Sequence, residues 1–283
     1  MKIPARSLVF GLLVVAALVL SACGAAFGPA GSEAYGGLNI FVFVLVGFIA
    51  QMIDGALGMA YGVSSNTFLL SLGLPPASAS ASVHMAEVFT TGVSGISHWK
   101  LKNIDTTLAK KLLIPGVLGG VAGAYILTSL DGDMLKPWIS GYLLIMGLVI
   151  LFKAFRGVKK NPTEFKHVSL LGLAGGFCDA IGGGGWGPVV TTTLVARGSN
   201  ARVSIGTVNF SEFFVTFAQS VIFVFTLNFA DYWQVILGLL LGGVLAAPLA
   251  AYVTRHLPLK VLMILVGLVI VGLSIRTIWM AMM

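Results

Sequence analysis

Charged residues are scarce in this chain. Of its 283 residues only 10% are charged, while 57% are hydrophobic. This composition leaves too little polar surface for a water-soluble globular protein. Apolar runs close to the ~20 residues that span a hydrocarbon core recur along the sequence. Because a helix satisfies its own backbone hydrogen bonds where water is absent, the composition predicts a single all-α polytopic membrane protein.

Several other features are also missing. The two cysteines, Cys23 and Cys178, are too few and too far apart for a disulfide framework or a metal site, and Cys178 is predicted to be a small buried residue. The apolar runs do not alternate with polar residues, which excludes a transmembrane β-barrel. No HExxH, GxSxG or phosphate-loop pattern occurs, and Gly182–Gly185 lacks the spacing of a dinucleotide fingerprint. We therefore expect no enzymatic activity, no cofactor and no bound metal.

The net charge of +7 comes from basic residues that cluster in short loops. Such clusters are typical of the cytoplasmic loops of a membrane protein, so we expect a lipid bilayer and no nucleic acid as partner. The clustered residues are Lys100, Lys102, Lys110, Lys111, Lys153, Arg156, Lys159, Lys160, Lys166, Arg197, Arg202, Arg255 and Lys260. This pattern predicts a multi-pass protein of the bacterial inner membrane whose central basic loop is cytoplasmic.

Residues 1–30 have the layout of a targeting segment. Lys2 and Arg6 precede an apolar run from Leu8 to Leu20, and Ser-Ala-Cys23-Gly follows. This layout predicts a signal peptide. Its last residues resemble a lipoprotein cleavage and lipidation site at Cys23. An uncleaved extra N-terminal helix fits the same residues, and both interpretations stay open.

Ten apolar segments follow the N-terminal region, in two sets of five. They are predicted at 38–54, 57–72, 77–98, 108–130, 137–155, 168–181, 186–196, 203–226, 233–254 and 259–280. The first set defines a transmembrane repeat over 38–156 and the second a repeat over 168–283. A basic cytoplasmic linker, 157–167, joins the two repeats.

One stretch of the first repeat returns in the second. A shift of 125 residues superposes Asp54–Gly62 on Asp179–Gly187 and Glu87 on Glu212. An odd number of segments per repeat makes the second copy start on the opposite side of the membrane. Equivalent loops also exchange their charge character, because 72–77 is uncharged and 197–202 is basic. The sequence therefore predicts two repeats of inverted topology.

The first two segments of each repeat are short and interrupted by glycines. Inverted repeats with such segments in corresponding positions point to a binding site at the membrane midplane, formed by broken helices. Glycines and unpaired amides at a half-helix N-terminus favour a small anion. The predicted substrate-binding residues are Gly58, Gly62, Ser64, Ser65, Asn66, Thr67, Gly183, Gly184, Gly185, Gly187, Thr191, Thr192 and Asn209. Alternatively the glycines only allow close packing, and both eight spans with two re-entrant hairpins and ten short spans remain possible.

Acidic residues lie inside predicted membrane segments. Charge at this depth is rare without a function, so Glu87, Glu212 and the neighbouring His84 are candidates for proton coupling. A buried hydrogen-bonding pair that holds two helices together is the alternative. Asp54 and Asp179 directly precede the glycines, where we expect them to cap half-helices.

Two aromatic residues follow the glycines at equivalent positions. Tyr61 and Trp186 are candidates for lining a pocket or a gate, and packing is the alternative role.

Two sequences carry a family resemblance. Gly176-Phe-Cys-Asp-Ala-Ile-Gly-Gly-Gly-Gly185, followed by Thr207-Val-Asn-Phe-Ser-Glu212, resembles the signature of the TauE/SafE family of sulfite and organosulfonate transporters. The likeness covers both repeats. It implies a secondary transporter that moves a small anion, sulfite or an organosulfonate, across the bacterial inner membrane by alternating access. The first copy departs from the signature, because Met59-Ala60 interrupts its glycines and His84 replaces the asparagine.

Two other functions are compatible with the same residues. The intramembrane Asp, Glu and His side chains suit a cation or metal-ion transporter, and a passive anion channel or an accessory protein without transport is the third possibility. Whether the chain is a monomer or a homo-oligomer stays open.

Overall fold

The computed structural model describes residues 40–57, 59–155, 167–197, 199–228, 232–254 and 259–282. Within these ranges the chain forms ten α-helices and one π-helical turn, and no strand. The elements are α1 (Ile40–Leu57), α2 (Tyr61–Ser71), α3 (Pro76–Lys100), α4 (Thr106–Ser129), α5 (Gly132–Phe155), α6 (Val168–Gly182), the π-helical turn Gly187–Thr191, α7 (Thr192–Ala196), α8 (Ala201–Thr226), α9 (Trp233–Thr254) and α10 (Leu259–Met282). The predicted signal peptide, Cys23, Gly58 and nearly all of the basic linker lie outside the described residues.

Each predicted apolar segment coincides with a helix, and local chemistry explains several of the helix ends. The Asp105 side chain accepts hydrogen bonds from the amides of Thr107 and Leu108 at the start of α4, which is the usual N-cap arrangement. Asn200 caps α8 in the same way. The π-helical turn contains Pro188, whose nitrogen has no hydrogen to donate.

Four of the described helices are long and apolar enough to cross a membrane. They comprise α4, α5, most of α8 and most of α10. Large apolar side chains on the outside of the helices, such as Phe225 at 84% exposure, fit contact with lipid rather than water. The chain is therefore a multi-pass α-helical membrane protein. By contrast α2 has 11 residues and is only about 16 Å long at 1.5 Å per residue.

The strongest helix packing joins one half of the chain to the other. Helix α1 packs along α9, and α6 packs along α4. Glycines allow the close approach: a Cβ on Gly242 would lie 2.0 Å from the Val44 carbonyl oxygen, and a Cβ on Gly119 would lie 2.0 Å from the Leu173 carbonyl oxygen. Small residues at such contacts are typical of membrane helix packing. Helices α3 with α8, and α5 with α10, complete these pairings between the halves.

Helix α2 lies at the centre of this arrangement. All eleven of its residues are buried, and it contacts α1, α3, α5, α6 and α10. Ala60, which directly precedes α2, is also buried. Cys178, predicted to be buried, is partly exposed on α6.

Candidate functional site

The segment that joins α1 to α2, called the first glycine turn below, is held in place by the Asp54 carboxylate. Asp54 lies in the last turn of α1, and its Oδ1 accepts hydrogen bonds from the amides of Ala60, at 2.8 Å, and Tyr61, at 3.3 Å. A carboxylate at the N-terminus of α2 satisfies amides that have no partner within the helix, and it interacts favourably with the helix dipole. The carboxylate therefore stabilises the turn that leads from α1 into the buried α2.

The segment 183–186, which joins α6 to the π-helical turn and is called the second glycine turn below, repeats this arrangement with additional contacts. Asp179 Oδ1 accepts hydrogen bonds from the amides of Gly185, at 2.7 Å, and Trp186, at 2.9 Å. Its Oδ2 lies 3.2 Å from His84 Nε2 and accepts from Gln219 Nε2 at 3.1 Å. Both oxygens of this buried carboxylate are thus bound. The shift of 125 residues relates the main-chain contacts of the two aspartates but not these side-chain contacts.

The two glycine turns touch each other. A Cβ on Gly184 would lie 2.2 Å from the carbonyl carbon of Gly62, and a Cβ on Gly187 would lie 3.0 Å from Met59 Cα. The two contacts are equivalent under the 125-residue shift. Met59 corresponds to Gly184 and Gly62 corresponds to Gly187, so the contact of Gly62 with Gly184 corresponds to the contact of Gly187 with Met59. Gly184 also has φ +147 and Gly183 has φ +62, values that side chains other than glycine rarely adopt.

A small, partly open cavity lies at this meeting point. Four carboxyl groups line it, two from each half, and none of its lining residues is basic. The lining residues are Asp54, Met59, Ala60, Tyr61, Gly62, Val63, Glu87, Thr90, Thr91, Asp179, Gly184, Gly185, Gly187, Pro188 and Glu212. The cavity therefore combines glycine main chain with paired acidic groups.

Glu87 is more deeply buried than Glu212, the other glutamate of the cavity. It is 4% exposed, and a Cβ on Gly62 would lie 3.0 Å from its Oε1. Among the described residues its Oε2 has no hydrogen-bond partner. Glu212 occupies the equivalent place on α8 and is partly exposed. A buried carboxyl oxygen without a partner at a cavity wall is free to hold a proton or a ligand.

The structure brings only some of the predicted binding residues to the cavity. Gly62, Gly184, Gly185 and Gly187 line it, and Gly58 lies outside the described residues. The remaining predicted residues are absent from the lining, namely Gly183, Ser64, Ser65, Asn66, Thr67, Thr191, Thr192 and Asn209.

Three polar side chains of that second group bond to carbonyl groups within the protein. Thr67 Oγ1 donates to the Val63 carbonyl within its own helix, and Asn209 Nδ2 donates to the Ile205 carbonyl. Asn66 Nδ2 donates to the Gly182 carbonyl at 2.6 Å, which ties α2 to the end of α6.

His84 does not pair with Glu87, although the two residues share a face of α3. Its Nδ1 lies 2.7 Å from the Ser80 carbonyl oxygen, and its Nε2 faces Asp179 of the other half. The ring is fully buried. His84 therefore acts on the second glycine turn through Asp179, and it is not part of the cavity wall.

The two equivalent aromatic residues differ in their surroundings. Tyr61 lines the cavity, and its hydroxyl donates to the Leu239 carbonyl at 3.1 Å. Trp186 is fully buried and absent from the lining. Its Nε1 donates to the Val208 carbonyl at 3.1 Å.

Helix α5 contributes two residues that the sequence analysis did not select. The Tyr142 hydroxyl donates to the Gly184 carbonyl at 3.4 Å. Lys153 Nζ donates to Thr192 Oγ1 and lies 3.1 Å from Met59 Sδ. From the sequence Lys153 belongs to the basic central loop, yet it lies in the last turn of α5. The sequence signal that could have identified Lys153 is its position inside the apolar segment predicted at 137–155, within its last turn.

In the part of the chain that the structure describes, no group of three or more His, Cys, Asp or Glu side chains is placed to hold a metal ion.

Comparisons with known proteins match most of the chain. The family described as "Sulfite exporter TauE/SafE" matches residues 43–277. The chain is 43% identical over 255 residues to the probable membrane transporter protein YtnM of Bacillus subtilis (strain 168), an alignment that covers 86% of this chain and 85% of the relative. It is 25% identical over 218 residues to a probable membrane transporter protein of Haemophilus influenzae, covering 74% of this chain and 83% of that protein. No solved structure matches.

Proposed function

Because the chain belongs to the sulfite exporter TauE/SafE family, we propose that it is a secondary transporter for a small anion, with sulfite or an organosulfonate as the expected class. It would carry this anion across the bacterial inner membrane by alternating access. The observation that carries the proposal is the contact between the two glycine turns, where Gly62 meets Gly184 beside the cavity. Small-molecule sites in transporters lie where broken helices of two repeats meet.

Inverted repeats are part of this proposal. The exchanged charge of equivalent loops supports them, and so does the packing of α1 on α9 and of α6 on α4. In this arrangement α1 and α2 form one hairpin that enters from the outside. Helix α6, the π-helical turn and α7 form a second hairpin that enters from the cytoplasm. The two tips are then the glycine turns, and the central linker is cytoplasmic.

The main chain supplies the anion-binding groups in this proposal. Gly62 lies in the first turn of α2 and lines the cavity, opposite Gly184 and Gly185 of the second turn. Helix N-termini bind anions through amides that lack intrahelical partners. The amides of Gly184 and Gly185 already donate to the Asp179 carbonyl and to Asp179 Oδ1, so the anion competes with Asp179 for these donors. Because these glycines have no side chains, a small oxyanion can approach the backbone closely.

The carboxyl groups around the cavity provide a means of coupling to protons. Carboxylates repel an anion at short range, so an anion can occupy the cavity only when a nearby carboxyl group is neutral. Glu87, with its unpartnered Oε2, and its equivalent Glu212 are the residues proposed to bind the proton. His84 is assigned a positioning role on Asp179, since its imidazole faces that carboxylate.

Transport by purified protein in sealed vesicles tests the function. We expect saturable uptake of sulfite or of an organosulfonate, accelerated when the outside is more acidic than the inside. Protein-free vesicles and vesicles that contain the Gly184→Ala variant serve as controls. Vesicles that show no flux of any sulfur oxyanion, in either direction and with either gradient, would exclude the proposed substrate class.

A cation is the second candidate substrate, because four carboxyl groups and no basic residue line the cavity. Titration calorimetry with sulfite, with sodium and with a divalent metal ion separates the two possibilities, since heat is expected only for the true substrate. A passive anion channel would conduct sulfite without accumulating it against its gradient when a pH difference is imposed.

A further inference from the structure

Lys153 places a positive charge next to a cavity whose own walls are acidic. Its ammonium group donates to Thr192 Oγ1 and lies 3.1 Å from the thioether sulfur of Met59. Both partners are uncharged. Lys153 forms no salt bridge with any residue that the structure describes. A partly buried ammonium group with only neutral partners favours an anionic ligand, because burial without a counter-charge is costly.

The position of this ammonium group connects it to the cavity. Met59 belongs to the first glycine turn and is one of the lining residues. Thr192 begins α7, directly after the π-helical turn whose first residue, Gly187, also lines the cavity. Lys153 therefore bridges the two glycine turns at the end of α5, beside the cavity and on the side where the chain continues into the central linker.

Among the residues that the structure describes, this feature occurs in one half of the chain only. The shift of 125 residues carries Lys153 onto Ile278 of α10. The arginine on the same helix, Arg276, donates instead to the Ser71 carbonyl at the C-terminal end of α2. A group that serves only the architecture shared by the two halves would be expected in both of them.

We propose that Lys153 and the Thr192 hydroxyl form an anion subsite at the linker end of the cavity, and that Lys153 determines the preference for an oxyanion. This inference rests on the proposed transport function and assigns it a specificity residue. The ammonium group is a compact point charge on a flexible stem. It can exchange its contact with Thr192 for a charge-assisted hydrogen bond to a sulfite or sulfonate oxygen. The Thr192 hydroxyl then donates to a second oxygen of the same anion.

Substitutions with matched controls test this subsite in vesicles. Lys153→Met removes the charge and keeps an unbranched side chain, and Lys153→Arg keeps the charge. We expect Lys153→Met to raise the KM for sulfite about tenfold or more, the usual scale for the loss of one charge-assisted hydrogen bond. Lys153→Arg should retain most of the affinity. The exposed Lys110 is the control for charge, so Lys110→Met should leave KM unchanged.

A second pair of variants isolates the hydroxyl. Thr192→Val should raise KM severalfold. Thr193→Val should not, because the Thr193 hydroxyl donates to the Val189 carbonyl within its own helical segment. If Lys153→Met does not fold, as judged by size-exclusion chromatography in detergent, the comparison of Thr192→Val with Thr193→Val decides, and equal KM values would overturn the subsite.

The outcomes also separate this inference from the transport function. If the wild-type protein transports sulfite and Lys153→Met does so with the same KM, the subsite is wrong and the function stands. If the wild-type protein neither transports nor binds sulfite or any organosulfonate, in vesicles and in titration calorimetry, both proposals are overturned.

Discussion

Gly62 and Gly184 lie in different halves of the chain, and their main chains are in direct contact. A Cβ on Gly184 would lie 2.2 Å from the Gly62 carbonyl carbon, and one on Gly62 would lie 2.6 Å from Gly184 Cα. Neither half can form this contact alone. The cavity beside it therefore exists only when both halves have folded and packed together, and its shape depends on residues that have no side chain.

Gly184→Ala is expected to disrupt this contact. Alanine would both overlap the Gly62 backbone and occupy φ +147, so we expect a loss of about 3 kcal/mol or more in stability. Thermal unfolding of the purified protein in detergent, together with vesicle transport, measures the effect. Gly141→Ala on α5 is the matched control, because nothing lies within 4 Å of a Cβ there. Similar unfolding temperatures for the two variants would contradict the backbone contact.

The two capping aspartates should differ in their contribution to stability. Asp179 accepts from three donors and contacts His84 Nε2 through its two oxygens, whereas Oδ1 of Asp54 accepts from two main-chain amides. In Asp179→Asn an NH₂ group replaces one of the two acceptor oxygens and faces a donor. Each charged hydrogen bond lost in this way lowers the free energy of unfolding by roughly 1.5–3 kcal/mol. Asp54→Asn can keep its acceptor oxygen on the amides. We therefore expect the lower unfolding temperature for Asp179→Asn, and equal values would contradict the asymmetry.

His84→Asn tests whether the histidine positions Asp179 or carries protons. Asparagine is the residue found at the equivalent position of the second half, Asn209, and it is too short to bind both the Ser80 carbonyl and Asp179. We expect a lower unfolding temperature and an unchanged pH profile of transport. A flattened pH profile at unchanged stability would instead make His84 part of the proton path.

The sequence predicts the helices of this protein well because each apolar segment carries its own signal. The segment predicted at 168–181 is observed as Val168–Gly182, and 233–254 is observed as Trp233–Thr254. Hydrophobic length and the flanking Gly, Pro and Asp residues are local properties, so they can be read without knowledge of the fold. The meeting of the two glycine turns is only suggested by the repeat, since contact between distant segments depends on how all the helices pack.

Side-chain partners are harder to predict for the same reason. His84 and Glu87 share one helix face, but the partner of His84 comes from α6 of the other half. The hydroxyls of α2 follow the glycines in sequence, yet the helix is buried on all sides and they are absent from the cavity lining. Lys153 belongs by composition to a charged loop, and only the packing of α5 brings it to Thr192.

Glu87→Gln should separate proton coupling from anion binding. Glutamine resembles the neutral form of the glutamate, so the anion can still enter the cavity, but no proton can bind or leave. We expect sulfite exchange between equal concentrations on the two sides to continue, and accumulation driven by a pH difference to be lost.

Two further variants make this result specific. Glu212→Gln removes the equivalent, partly exposed carboxyl group, and we expect it to abolish pH-dependent transport as well, since both glutamates line one cavity. Asp133→Asn removes an exposed carboxylate at the start of α5 and should behave like the wild type. Accumulation by Glu87→Gln at the wild-type rate and with the wild-type pH profile would assign the proton to another group. Loss of sulfite exchange in Glu87→Gln would instead show that the unpartnered oxygen of Glu87 contacts the transported ion itself.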